Sequence, residues 1–152
     1  MNAVTQSSLP NAAVIVRRII AAPAEDIFDA WLDAEALSEW MRPGTIKRSK
    51  ARTEARVGGS YEVRMYGESG EILHHGVYRV IDRPRRLVFT WHSPFVGETE
   101  TLVTVDFRVI ADGGTEVIVT HEQLPDDAKA AHARGWTSGL QHLDEACQAG
   151  QI

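Results

Sequence analysis

TLVTVDFRVIADGGTEVIVTHEQLPDDAKAAHARGWTSGLQHLDEACQ, residues 101–148, changes periodicity once, and that change decides the fold. Up to Glu122 apolar and polar residues alternate. Val103, Val105, Phe107, Val117 and Val119 fall on one face, and Thr104, Asp106, Arg108, Glu116 and Thr120 on the other. Period two marks a strand with one buried face. Asp112-Gly113-Gly114 suits a three-residue hairpin loop, which sets Phe107 opposite Val119 and Val105 opposite His121. From Leu124-Pro125-Asp126 onward the spacing becomes helical. His132, Trp136, Leu140, Leu143 and Cys147 form one stripe of a final helix of about 20 residues, ending near Gly150. At about 1.5 Å per residue this helix is long enough to lie across a sheet. A glycine inside a helix costs about 1 kcal/mol relative to alanine, so Gly135 and Gly139 predict a close backbone approach on that helix.

Working back toward the N-terminus, the same alternation predicts strands near 45–54, 60–67, 71–82, 86–93, 99–110 and 115–122. Short connections make them an antiparallel meander. If Ser69-Gly70 form a two-residue turn, Met65 lies opposite His74, Val63 opposite Gly76 and Tyr61 opposite Tyr78. If Arg83-Pro84 turn the next hairpin, Tyr78 faces Phe89, Val80 faces Leu87 and Gly76 faces Trp91. A slip of one residue in any hairpin buries charges, so the face assignment is strongly constrained. Ahead of the meander, residues 12–20 read as a first strand. Pro23 with Glu25 and Asp26 then opens a short helix whose stripe is Ile27, Phe28 and Trp31. A second short helix, 33–41, presents Leu37, Trp40 and Met41 inward and stops at Pro43-Gly44. The expectation is an α+β domain over residues 12–150, with about seven antiparallel strands in a curved sheet that wraps the long C-terminal helix. Residues 1–11 are expected to be a loose tail.

Composition narrows the function classes. A net charge of -5 and a pI of about 5.6 disfavour a phosphate backbone as partner, so no nucleic acid is expected. The basic stretch Lys47, Arg48, Lys50, Arg52 and Arg56 reads as a solvated strand face. No apolar run approaches the roughly 18 residues of a membrane span, and MNAVTQSSLPNAA lacks the pattern of a signal peptide. The lone Cys147 has no partner base and cannot form an internal disulfide; with the leader reading, it predicts a cytoplasmic protein.

The inward face is aromatic with a few polar groups, as a small-molecule pocket is. Candidate ligand-binding residues are Tyr61, Met65, His74, Tyr78, Phe89, Trp91, Val103, Val105 and His121 on the sheet, and His132, Trp136 and Leu140 on the helix. Specific chemistry is thinner. His74-His75 and His121-Glu122 point to opposite faces, and no zinc spacing, nucleophile elbow or paired carboxylates occur, so neither a metal nor a cofactor is expected. An inward imidazole such as His121, with Tyr78 or His74, is the one candidate for acid–base work.

Several runs carry a family resemblance: IIAAPAEDIFDAWLDAEALSEWMRPG, GGSYEVRM, GVYRVIDRPRRLVFTW, VTVDFRVIADGGTEVIVTHE and HARGWTSGLQHLDEA. In this order, from about Ile15 to Ala146, the chain resembles the family named for the activator of the heat-shock protein 90 ATPase. That family lies within the START-like, helix-grip superfamily that also holds polyketide cyclases and pollen allergens. The chain departs where members often show Trp-Trp (here Trp40-Met41) and Asp-Pro-Glu (here Asp33-Ala34-Glu35). The resemblance implies a helix-grip (START-like, Bet v-type) fold and leaves three functions open. One is binding of a small hydrophobic, aromatic or lipid-like ligand between sheet and helix. The second is a cyclase- or hydrolase-type enzyme in the same cavity. The third is a chaperone-interacting module, which the lack of room for a second domain disfavours. A homodimer is compatible with the sequence and not specified by it.

Overall fold

The computed structural model describes residues 12–152; the expected tail, residues 1–11, lies outside the described residues. The described residues open with strand β1 (Val14–Ile20), followed by helix α1 (Ala24–Leu32) and helix α2 (Ala34–Trp40). Six strands follow: β2 (Arg48–Thr53), β3 (Ser60–Gly67), β4 (Gly70–Asp82), β5 (Arg86–Trp91), β6 (Thr101–Val109) and β7 (Thr115–Glu122). Helix α3 (Lys129–Gln148) closes the chain after a 3-10 turn over Asp126–Ala128. The strands form one seven-stranded sheet in the order β1-β7-β6-β5-β4-β3-β2, with every neighbouring pair antiparallel. The meander is therefore completed by β1, which pairs with the last strand.

Local chemistry accounts for the elements. Pro23 precedes α1, and Glu25 and Asp26 occupy its first turn, where carboxylates favour the helix dipole. Asp33 caps α2 by accepting from the Ala36 N–H at 3.0 Å. On β6 and β7 every second side chain is buried, from Val103 through Phe107 and from Val117 through His121. These side chains meet Phe28 and Trp31 of α1 and Leu140 and Leu143 of α3 in one core.

Registers differ from expectation in three places, and the loops are the reason. The β3–β4 turn is Glu68-Ser69, with Gly67 paired to Gly70, so Met65 faces Ile72, Val63 faces His74 and Tyr61 faces Gly76. Gly70 has a φ of +113° and takes the left-handed position just after the turn instead of within it. The β6–β7 loop has five residues, closed by Ile110 N–H donating to the Gly114 carbonyl at 2.9 Å; Phe107 faces Val117, Val105 faces Val119 and Val103 faces His121. Both slips are of two residues, so each side chain keeps its face. The β4–β5 loop is Arg83-Pro84-Arg85, one residue longer than expected. Val80 therefore faces Val88, and an irregularity between Tyr78 and Val80 restores the expected Tyr78–Phe89 pair.

Gly76 sits where β4 runs against β5, and a Cβ there would lie 2.0 Å from the Thr90 carbonyl oxygen. The helix glycines differ: at Gly135 and Gly139 a Cβ would lie 3.6 Å from Pro43 and 3.8 Å from Trp40, ordinary van der Waals distances. The expected tight backbone approach on α3 does not occur. No helix among the described residues is long and apolar enough to cross a membrane.

Candidate functional site

Helix α3 is seated mainly on β1 and α2. Arg18 of β1 donates to Asp144 of α3 at 2.9 Å, and Gly44 N–H donates to the Ser138 hydroxyl at 3.0 Å. The first half of the helix stands away from β3 and β4, and a cleft of about 600 Å³ opens there. Its sheet wall is Met65, Ile72, His74 and Trp91, and its helix wall is Ala131, His132, Gly135 and Trp136. The segment after α2, from Met41 through Pro43 to Ile46, and Phe95 of the turn after β5 form the remaining sides.

Five expected site residues line this cleft: Met65, His74, Trp91, His132 and Trp136. Tyr61, Tyr78 and Phe89 lie behind it, packed with Trp31 and Leu37 around a gap of about 10 Å³, room for no more than one water-sized sphere. Met41 and Trp91 border both spaces. Val103, Val105 and Leu140 have no exposed surface and belong to the core. Sequence reasoning missed Pro43–Ile46, Ile72, Phe95 and Ala131. Ile72 shares the strand face of His74 and was legible from parity. The 43–46 segment offered only a helix-stop signal, and its position depends on where α3 lies.

His121 is wholly buried and part of a hydrogen-bonded chain. Trp136 Nε1–H donates to its Nδ1 at 3.0 Å, so its proton is on Nε2, which lies 2.8 Å from Thr101 Oγ1. The Thr101 hydroxyl in turn donates to the Trp91 carbonyl at 2.6 Å. Burial, and then the charge of nearby His132, pushes the His121 pKa down to about 3. An imidazole with both nitrogens occupied and so low a pKa is no base at neutral pH. Through these bonds His121 links β6, β7 and α3.

His74 is 5% exposed and stacks obliquely on Trp91, ring centroids 4.9 Å apart. Burial, reinforced by the charge of His132, lowers its pKa to about 4, so it too is neutral. His132 Nδ1–H donates to the Ala128 carbonyl at 2.8 Å. The Tyr61 hydroxyl donates to the Thr90 carbonyl at 2.5 Å, and burial pushes both Tyr61 and Tyr78 upward. Among the described residues no three His, Cys, Asp or Glu side chains converge as metal ligands. The Cys147 thiol is pushed up to about 11, chiefly by burial, which keeps it protonated at neutral pH. The cleft is thus an apolar and aromatic space with the neutral imidazole of His74 at its wall.

A family profile described as activator of Hsp90 ATPase homolog 1-like protein matches residues 21–148. No curated protein matches the sequence. A protein from Rhodobacter sphaeroides has a similar structure, with a TM-score of 0.77 at 23% identity over 92% of this chain and 96% of that one. A protein from Chromobacterium violaceum gives 0.75 at 23% identity over 88% and 94%. An HSP90 activator from Plasmodium falciparum gives 0.71 at 24% identity over 90% and 96%. At these identities the structural likenesses establish a common fold.

Proposed function

The chain belongs to the activator of Hsp90 ATPase homolog 1-like family, and from that premise we propose that it binds a small, largely apolar molecule in the cleft between its sheet and α3. The observation that carries this reading is the cleft itself. Some 600 Å³ remain open in a protein whose neighbouring core is closely packed, and Met65, Ile72, Trp91, Phe95 and Trp136 give the opening an apolar, aromatic wall. Ligand sites of this size are typically apolar with a few polar groups. The rings supply stacking surface, and the thioethers of Met41 and Met65 adapt to shape.

The test is a thermal-shift screen of aromatic metabolites, fatty acids and polyketide-like compounds, with native mass spectrometry of the purified protein. Ala131→Trp is the control. Ala131 is exposed at the cleft wall, so a large side chain there fills the space without emptying the core. Compounds that stabilise the wild type and lose their effect in Ala131→Trp support the reading. Stabilisers indifferent to that substitution, or none across the library, sink it. Stimulation of an Hsp90 ATPase by both the wild type and Ala131→Trp supports a chaperone module acting elsewhere on the surface.

A further inference from the structure

The mouth of the cleft carries one permanent cation, and the fold gives it no partner. Arg134 is the one arginine or lysine among the described residues that line the opening, and it is exposed there. Arginines elsewhere are tied to acids: Arg83 to Asp29 at 2.7 Å, Arg86 to Asp106 at 2.7 Å and Arg18 to Asp144 at 2.9 Å. Arg134 makes no ion pair, hydrogen bond or ring contact among the described residues. Its neighbours on the helix surface, Ala130, Ala131, Thr137 and Ser138, are uncharged, so no counter-ion lies three or four residues away. Ala131 and Gly135 line the cleft beside it. Helical side chains lean toward the N-terminus, which carries the guanidinium toward the half of α3 that stands off the sheet. The other charge at the mouth, Asp127, is also exposed and forms no ion pair with Arg134. Asp127 has a structural account, because it lies in the turn that leads into α3, where a carboxylate favours the helix dipole. Arg134, past the first turn of α3, has none.

We propose that the cleft takes an amphipathic carboxylic acid, its apolar body against the sheet wall and its carboxylate at the mouth on Arg134. The inference rests on the reading of the cleft as a binding site. A guanidinium presents paired N–H donors that match the two oxygens of a carboxylate. The body of the acid is covered by Ile72, Trp91, Phe95 and Trp136, while its head stays in water at the mouth. The charge is therefore never buried, which an apolar wall would oppose strongly. A monoanion suits this mouth better than a phosphate dianion, because one guanidinium faces it and Asp127 repels further negative charge.

Three probes of matched size test this: 2-naphthylacetate, its primary amide 2-naphthylacetamide and the cation 2-(2-naphthyl)ethylammonium. Each is titrated calorimetrically into the full chain at neutral pH and low ionic strength. The wild type should favour the acetate over the amide by about fivefold, the scale of a well-formed ion pair in water, and should bind the ammonium most weakly. At about 0.5 M salt the preference should shrink toward parity. Arg134→Gln should bring the acetate-to-amide ratio to within about twofold; Arg134 is exposed, so the substitution leaves the core intact. Equal binding of the three probes, with all three blocked by Ala131→Trp, overturns the carboxylate assignment and leaves the cleft reading standing. A preference for the ammonium overturns it too and passes the mouth to Asp127. An acetate preference that survives Arg134→Gln also overturns it. If no probe binds, the assignment fails, and the compound screen decides the cleft separately.

Discussion

His74 and His121 are held neutral by burial, and this has a consequence for stability that can be signed. Unfolded, each titrates near 6.5; folded, they titrate at about 4 and about 3. Between those limits the unfolded chain binds more protons than the folded one, so stability is lost as pH falls from 6.5 toward 4 and 3. At pH 5 each contributes roughly 2 kcal/mol of destabilisation relative to pH 7. Urea denaturation at the two pH values should show the drop, and His74→Phe should remove about half of it. The His121 chain gives a second expectation. Thr101→Val leaves Nε2–H of His121 buried and unpaired, which costs about 1–3 kcal/mol by the same measurement. The two imidazoles also mark what a sequence conceals. Alternation put both on the inner face correctly, but their different fates depend on partners distant in the chain. His121 meets Thr101 and Trp136, and His74 meets an open cleft.

At the scale of the elements, the strand glycine Gly76 is required for close packing and the helix glycines Gly135 and Gly139 are not. Gly76→Ala should be severely destabilising, because the added methyl would lie 2.0 Å from the Thr90 carbonyl, backbone that cannot turn aside. Gly135→Ala and Gly139→Ala should each stabilise by roughly 0.5–1 kcal/mol, since the helix gains in propensity and the new methyl meets only ordinary contacts. Thermal melts of the three variants decide the matter; a lower melting temperature for Gly139→Ala would mean that Trp40 cannot accept the methyl. Strand faces were legible because burial alternates with period two. Registers were not, because the turn residues allow more than one placement of the left-handed glycine, and only the packed sheet chooses between them.

For the whole molecule, the cleft follows from where α3 is anchored. Its second half is tied to β1 by Arg18–Asp144 and by Leu143 in the core, while its first turn has no side-chain cap and follows a 3-10 turn. Hydrogen exchange should therefore show the slowest amides in β5, β6 and β7. The first turns of α3 and residues 43–46 should open at lower free energy, and a cleft ligand should slow exchange there first. Equal protection along all of α3 would contradict this anchoring. The sequence by itself determined the α+β class, the element order, the inner face of each strand and the apolar stripe of the last helix, because periodicity records which side of an element is buried. The tertiary structure alone decided that β1 pairs with β7, that Tyr61, Tyr78 and Phe89 are packed away behind the cleft, and that Pro43–Ile46 and Phe95 border it. Those outcomes depend on contacts between elements far apart in the chain, and on the space the final helix leaves uncovered, which no local spacing encodes.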